Sequence, residues 1–208
     1  MGSKMTKKTK WTLGIIIFLC FAAYIYRTSV FRISKNFVEV DPGKFYRSAQ
    51  LDPDELDEAV KKYGIKTVIS LRGAPQNSYW VPDEIRVLKE NKVEFLPLSW
   101  TSDYFPEDEE FRKYIRALQT AERPILVHCK TGADRTGEAT AIYTMEFMGV
   151  PKARAIEEQL SFRNYHVQAL HPAKRALVEA YQGMDWALNI YRRCDPQNIQ
   201  WAEPGHCQ

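Results

Sequence analysis

The chain has 208 residues, of which 45% are hydrophobic and 26% charged, a composition typical of one globular domain with additional residues at its ends. The net charge is only +3, and four lysines lie within the first ten residues, so the remainder is close to neutral and does not predict a nucleic-acid partner. The four cysteines are too widely spaced for a zinc site, so we expect neither a metal nor another cofactor.

The first 35 residues predict a membrane segment. After the lysine-rich start, Leu13–Tyr26 is an apolar run without a charge. As a helix this run reaches about 21 to 24 Å, less than a hydrocarbon core of about 30 Å, although Trp11 and Tyr24 can lie in the interfaces. We predict an uncleaved signal anchor of a single-pass protein, with the lysines in the cytoplasm and the rest of the chain outside it.

Other interpretations of this segment stay open. A signal peptide has the same basic start and apolar centre, although FAAYIYRTSV offers a poor cleavage site. Arg27, Arg32 and Lys35 follow the apolar run and weaken the predicted orientation, so a secreted product and a cytoplasm-facing domain are alternatives. A buried amphipathic core helix is a further interpretation, and MGSKMT matches the short pattern for N-myristoylation.

Beyond Asn36, strands and helices alternate along the chain. FVEV and FYRSA are predicted as paired strands, and DPDELDEAVKKYG as a helix that Asp52 caps and Gly64 ends. The strands IKTVISLRG, VEFLPLSW and PILVH follow, separated by the helix DEIRVLKENK and a helix that begins at Pro106. Further helices are predicted over residues 136–148, 151–163 and 172–192. This order is typical of an α/β fold with a central, mostly parallel sheet flanked by helices.

The segment HCKTGADRTG, residues 128–137, lies where the last predicted strand ends and a helix begins. A glycine-containing turn in front of a helix N-terminus points several backbone N–H groups at one spot, which attracts an oxyanion. The same amides would stabilise a thiolate at Cys129, and Arg135 can curl its planar fork over the bound group. The segment therefore predicts a phosphoryl site with a cysteine nucleophile.

The same segment resembles the H-C-x5-R-[ST]-G loop of the cysteine-based protein tyrosine phosphatases, in their dual-specificity branch. FYRSAQ, YGIKTVISLRG, FLPLSW and PILVHCK occur in the order seen in the compact atypical members of that branch. The resemblance covers about residues 40 to 165. With the N-terminal segment, the chain is most similar to membrane-associated or exported bacterial phosphatases, which implies a periplasmic domain.

The resemblance implies a role for each residue of the loop. Cys129 attacks phosphorus and forms a cysteinyl-phosphate intermediate, and the Thr136 hydroxyl stabilises the thiolate as it leaves. His128 hydrogen-bonds around the loop and tunes the thiol, although a structural histidine at a strand end is an equal interpretation. The phosphate oxygens are held by Arg135 and by the loop residues Lys130, Thr131, Gly132, Ala133, Asp134 and Arg135.

The family also implies a general acid in a loop before the helix that precedes the nucleophile's strand. SWTSDYFPEDEE is that loop, and Asp103 lies 26 positions before Cys129, about the family separation. Asp103 is the predicted acid and Asp108 the alternative. The acidic residues from Glu107 to Glu110 are otherwise expected to form the solvated first turn of the helix.

The predicted reaction is phosphomonoester hydrolysis on protein phosphotyrosine and, by the dual-specificity branch, phosphoserine or phosphothreonine. The alternatives are a phospholipid or inositol phosphate substrate, and a phosphate-binding pseudophosphatase. A rhodanese or arsenate reductase also uses a cysteine loop, but the upstream aspartate favours a phosphatase. Asp134 places an acidic group beside the anion site, and Lys130 is the only cation inside the loop before Arg135, which argues against highly phosphorylated inositols.

The remaining predictions concern the domain limits and residues outside the loop. We expect an anchor over residues 1–35, a catalytic domain over 36–194 and a loosely held tail over 195–208. Cys194 and Cys207 would form a disulfide in an exported protein, with two unpaired thiols as the alternative. Arg47 is predicted to be structural. His166 and His171 show no partner pattern in the sequence and are predicted to be ordinary surface or helix-cap histidines.

Overall fold

The computed structural model describes residues 7–207, which form two units, one ending at Lys35 and one beginning at Asn36. The first unit is a single helix, α1 (Lys7–Ser34), which includes the predicted apolar run and continues beyond both of its ends. Within the described residues, Lys8–Ser34 is one helix long and apolar enough to cross a membrane, a test that signal sequences and soluble core helices also pass. The membrane location and orientation therefore stay predictions.

The second unit is built on a five-stranded mixed sheet. Its strands are β1 (Val38–Asp41), β2 (Phe45–Ser48), β3 (Thr67–Ser70), β4 (Glu94–Pro97) and β5 (Ile125–His128). Their order is β1-β2-β5-β3-β4, and of the pairs between these strands only β1–β2 is antiparallel. The pairing of β1 with β2 and the mostly parallel sheet are as predicted. The register aligns the last residues of three parallel strands, Ser48, His128 and Ser70, at one edge of the sheet.

Helices cover both faces of this sheet, which confirms the predicted α/β architecture. They are α2 (Pro53–Tyr63), α3 (Val81–Glu90), α4 (Asp108–Thr120), α5 (Asp134–Met148), α6 (Lys152–Gln159) and α7 (Pro172–Ala180). One core cluster contains apolar residues of α2, α3 and the sheet, among them Leu56 and Leu88. The larger cluster joins α4, α5 and α7 to the other face, around buried residues such as Phe111, Ile142 and Leu177.

Two predicted helices are too long. The last helix, predicted over residues 172–192, ends at Ala180, and a separate π-helical turn follows at Trp186–Ile190. Gly183, at φ 107°, lies between them in a conformation that interrupts a helix. The break turns Tyr181 into the core, where its ring packs edge-on against Trp186 at 5.9 Å. Likewise, α6 ends at Gln159 rather than Arg163.

A buried ion pair connects two of the helices with the loop before α4. Glu138 of α5 and Lys174 of α7 are both fully buried, with Lys174 Nζ 3.0 Å from Glu138 Oε2. Burial raises the pKa of Glu138 to about 7. The Lys174 ammonium also donates to the carbonyl of Tyr104 at 2.7 Å, so it fixes the loop relative to α5 and α7.

The C-terminal residues are packed, contrary to the predicted loose tail. Cys194 and Cys207 form the predicted disulfide, with their Cα atoms 5.4 Å apart. Within the segment that they enclose, the Trp201 carbonyl accepts a hydrogen bond from the backbone N–H of Phe105 at 2.9 Å, and the two rings stack. Residues 195–207 therefore brace the loop before α4.

Candidate active site

The predicted anion site lies at the carboxyl edge of the sheet, between the end of β5 and the start of α5. Cys129 directly follows β5 and is a free thiol, 2% exposed. The helix begins at Asp134, two residues earlier than predicted, so only residues 129–133 form the loop. A strand and a helix thus hold the loop at both ends.

Three consecutive carbonyls of this loop are bound by donors from outside it. The backbone N–H of Gln50 donates to the Lys130 carbonyl at 3.3 Å. The Asn36 amide donates to the Thr131 carbonyl at 3.3 Å and to the Gly132 carbonyl at 2.8 Å. The fully buried Arg47 also donates to the Gly132 carbonyl. All three carbonyls are therefore turned outward from the loop.

This arrangement fixes the direction of the loop amides. In a trans peptide the N–H points opposite to the C=O, so the three outward carbonyls leave the N–H groups of Thr131, Gly132 and Ala133 facing inward. The first N–H groups of α5, from Asp134 to Thr136, have no partner within the helix. The helix dipole adds positive charge at the same point. The loop is an anion cradle made of backbone.

Gly132 is required at its position for two reasons. Its φ of +63° is in the left-handed region, which residues with a Cβ adopt at a cost. A Cβ there would lie 2.6 Å from backbone atoms of Ser48 and Ala49. The end of β2 thus packs directly against the loop, and only glycine allows that approach.

Arg135 is held above the sheet by two backbone carbonyls. Its Nη1 donates to Leu71 at 3.0 Å and to Trp100 at 3.1 Å, in the segments that follow β3 and β4. Its Nε is buried and makes no hydrogen bond to any residue from 7 to 207. The guanidinium therefore keeps donor capacity beyond these two contacts.

Arg72 is a second cation near the cradle, and the sequence analysis missed it. Burial lowers the pKa of Arg72, and the charge of the nearby Arg135 lowers it further. Its Nη1 donates to Gln50 Oε1 at 2.8 Å, and its guanidinium lies 4.0 Å from the centre of the Trp80 ring. The sequence feature that could have indicated Arg72 is its position just after a predicted buried strand, in ISLRG.

The side chains of His128 and Thr136 are both buried and have different surroundings. His128 Nε2 lies 2.7 Å from Glu84 Oε1, and both side chains are buried, so this nitrogen of the ring faces α3. The Thr136 hydroxyl is buried and has no hydrogen-bond partner in the described part of the chain, which leaves it available within the site.

The two candidate acids have different surroundings. The Asp103 side chain is 62% exposed, and its Oδ1 lies 3.1 Å from His171 Nδ1. Asp108 Oδ1 instead accepts the backbone N–H of Arg193 at 2.8 Å, so this carboxylate caps the C-terminal segment. Of the two, Asp103 is the carboxylate that is free to meet a ligand.

The expectation of an ordinary surface or helix-cap histidine was wrong for His166, whereas His171 is at the N-cap position of α7. His166 is buried, and its Nδ1 lies 2.8 Å from Asp134 Oδ1. His171 Nε2 lies 3.6 Å from the other Asp134 oxygen, while its Nδ1 faces Asp103. Asp134, expected to place its charge beside the anion, is thus engaged by two imidazoles. No spacing in the sequence indicates these contacts.

The described residues contain no group of three or more histidine, cysteine or acidic side chains that could hold a metal ion. The described site brings together a thiol, a backbone anion cradle, two guanidinium groups and one exposed carboxyl group. This set can bind a phosphoryl group, attack it and protonate a departing oxygen.

Comparison with known proteins agrees with this geometry. A sequence model described as the tyrosine phosphatase family matches residues 32–193. The dual specificity protein phosphatase TpbA of Pseudomonas aeruginosa strain PAO1 is 33% identical over 128 residues, 60% of this chain and 53% of that protein. The chain thus spans about half the length of the curated relatives it matches.

Solved structures show the same fold. A crystal structure of P. aeruginosa TpbA has a TM-score of 0.58 and 27% identity, covering 74% of this chain and 89% of that one. A TpbA variant in complex with pTyr gives the same values. The catalytic core of the PP-IP phosphatase SIW14 from S. cerevisiae has a TM-score of 0.56 at 18% identity, covering 71% and 85% of the two chains, and shows the fold alone.

We predict that Gly132→Ala removes binding of inorganic phosphate, because the new Cβ would push the loop away from β2. Gly43→Ala is the matched control, since Gly43 has a similar φ of +69° but open space around its Cβ position. The control should lose about 1–2 kcal/mol of stability from the left-handed backbone alone. Phosphate titration and urea unfolding measure both effects, and equal losses in the two variants would contradict the packing argument.

Proposed function

The chain belongs to the tyrosine phosphatase family, and from that premise we propose that it hydrolyses phosphomonoesters of protein tyrosine through a cysteinyl-phosphate intermediate. The observation that supports the proposal is the free, buried Cys129 at the base of a cradle in which the carbonyls of residues 130–132 are turned outward. The proposed catalytic domain begins at Asn36 and includes the packed C-terminal segment. Phosphoserine and phosphothreonine are proposed as further substrates, in keeping with the curated relative's description as a dual specificity phosphatase.

In the first step, the Cys129 thiolate attacks phosphorus. The Sγ–P bond forms while the bond between phosphorus and the leaving oxygen breaks. The amides of Thr131, Gly132 and Ala133 and the Arg135 guanidinium hold the three other phosphate oxygens, over which the charge of the transition state is spread. Asp103 gives its proton to the leaving oxygen, so the alcohol or phenol departs neutral.

In the second step, water attacks the cysteinyl phosphate. The Asp103 carboxylate takes a proton from the water, the Sγ–P bond breaks, and inorganic phosphate and the thiolate are formed. The buried Thr136 hydroxyl, which has no partner within residues 7–207, is proposed to donate to the departing thiolate. His128 is proposed to support the strand end from behind, through its contact with Glu84.

A lipid or inositol phosphate is a second candidate substrate, and Arg72 is the observation that favours it. Together with the exposed Lys130, it supplies positive charge beside the cradle, where a substrate with more than one phosphate would bind. Arg72 is engaged by Gln50 and Trp80, however, and this favours the single-phosphate substrate.

We further propose that α1 anchors the domain outside the cytoplasm. The length and composition of the helix support an anchor. The disulfide between Cys194 and Cys207 supports an oxidising compartment, because such bonds persist in the periplasm and are rare in the cytosol.

Cys129→Ser is expected to abolish hydrolysis of a phosphotyrosine peptide, because a serine hydroxyl at this position is not ionised. The wild-type activity should persist with a chelator and be blocked by vanadate, and acid-quenched wild-type protein should carry one phosphate on Cys129 by mass spectrometry. Undiminished turnover by Cys129→Ser would overturn the mechanism.

Asp103→Asn is expected to lower kcat by about 10² to 10⁴ and to leave KM nearly unchanged, because it removes only the proton transfer. Asp108→Asn is the matched control, since Asp108 accepts from the backbone of Arg193 and should retain normal turnover. The opposite result for the pair would assign the acid to Asp108.

A panel of phosphotyrosine, phosphoserine and phosphothreonine peptides, phosphoinositides, inositol phosphates and phosphatidylglycerophosphate separates the substrate classes. We expect the largest kcat/KM for phosphotyrosine peptides. If a phospholipid or inositol phosphate gives a larger value, and Arg72→Met lowers that value selectively, the second candidate is the correct one.

A further inference from the structure

His171 lies between the two loops that carry the proposed chemistry. It directly precedes α7, and its side chain is 27% exposed. Its Nδ1 lies 3.1 Å from Asp103 Oδ1 in the loop before α4, and its Nε2 lies 3.6 Å from Asp134 Oδ2 at the start of α5. One imidazole thus faces the proposed general acid and the first residue of the helix that follows the cradle.

The Asp134 end of this contact is fixed. Its Oδ1 is 2.8 Å from Nδ1 of His166, whose side chain is only 1% exposed. The other ring nitrogen of His166 is 3.1 Å from Gln168 Oε1. A buried imidazole with partners on both nitrogens has little freedom, so Asp134 is a rigid point beside the cradle.

Asp103, on the other side of His171, has no comparable buried partner among the described residues. Its side chain is 62% exposed, and the neighbouring residues of its loop are anchored through their backbones, Tyr104 to Lys174 and Phe105 to Trp201. These anchors position the backbone of the loop. The Asp103 carboxyl itself is oriented by its contact with His171.

We propose that His171 is a positioning residue, which holds the Asp103 carboxyl in the orientation that a general acid needs. This inference rests on the proposed function. The ring is directed by its two contacts, with the fixed Asp134 on the Nε2 side and with Asp103 at hydrogen-bond distance on the Nδ1 side. A carboxyl held in one direction can meet the leaving oxygen in the geometry that proton transfer requires.

Two other titratable groups in this region have their own partners. Lys174, one turn further along α7, has its ammonium on Glu138 and on the Tyr104 carbonyl. His166 contacts Asp134. The two carboxyl groups of Asp103 and Asp134 are therefore the partners that orient the His171 ring.

The test compares two aryl phosphates whose leaving groups differ in acidity. Departure of 4-nitrophenolate needs little protonation, whereas departure of phenolate depends on the general acid. We expect His171→Ala, in the full chain in detergent, to lower kcat/KM for phenyl phosphate about tenfold or more, a part of the 10² to 10⁴ that a general acid contributes. The kcat/KM for 4-nitrophenyl phosphate should change little, because this ratio reports the step in which the leaving group departs and not the later hydrolysis of the cysteinyl phosphate.

His171→Asn is the conservative variant, because its amide can keep the contact that Nδ1 makes with Asp103, and it should restore most of the loss. His206→Ala is the matched control, since His206 also pairs with a carboxylate, Glu107 at 2.9 Å, and should leave the ratio of the two rates unchanged. Thermal unfolding of each variant reports whether it is folded.

A double-mutant cycle completes the test. Added to Asp103→Asn, His171→Ala should cause almost no further loss, because the residue that it positions is already disabled. Equal losses for both substrates, or losses that multiply in the double variant, would overturn the positioning role and leave the phosphatase proposal standing. A wild-type chain that hydrolyses neither compound would overturn both.

Discussion

The site depends on the outward direction of three carbonyls. A short loop between a strand and a helix has no intrinsic reason to turn all of its amides to one side, because each inward amide requires an outward carbonyl with a partner. Those partners lie before β1, within β2 and just after β2. They are Asn36, Arg47 and Gln50. The antiparallel edge of the sheet is thus more than a cover for the core, since it sets the polarity of the cradle.

The loop of the proposed acid is held by long-range contacts. It has little regular structure, and residues of α7 and of the C-terminal segment hold it in position. The buried pair of Glu138 and Lys174 adds one fixed carbonyl contact, at Tyr104. Buried ion pairs of this kind contribute little net stability compared with apolar packing, but the loss of one partner is costly. Here the pair links the helix of the cradle to the loop of the acid.

The part of the site that depends on local spacing was predictable from the sequence. The strand, the glycine turn, Cys129 and Arg135 lie within a few residues, and their geometry follows from a strand-to-helix connection. The partners of the loop were not predictable, because Asn36 contacts Gly132 across 96 positions and His171 contacts Asp103 across 68. A side chain's neighbours across such distances depend on the packed fold. The same limit applies to the break after Ala180, where core packing of Tyr181 ended a regular helical pattern.

Asn36 sets a limit on proteolytic maturation. It is the second residue after α1, and its amide donates to two carbonyls of the cradle and to the carbonyl of Asn164. A peptidase that releases the domain from its N-terminal helix must therefore cut before this residue if the product is to keep an intact cradle. Cleavage only a few residues after Asn36 would yield a domain that keeps its core and its thiol but binds phosphate weakly.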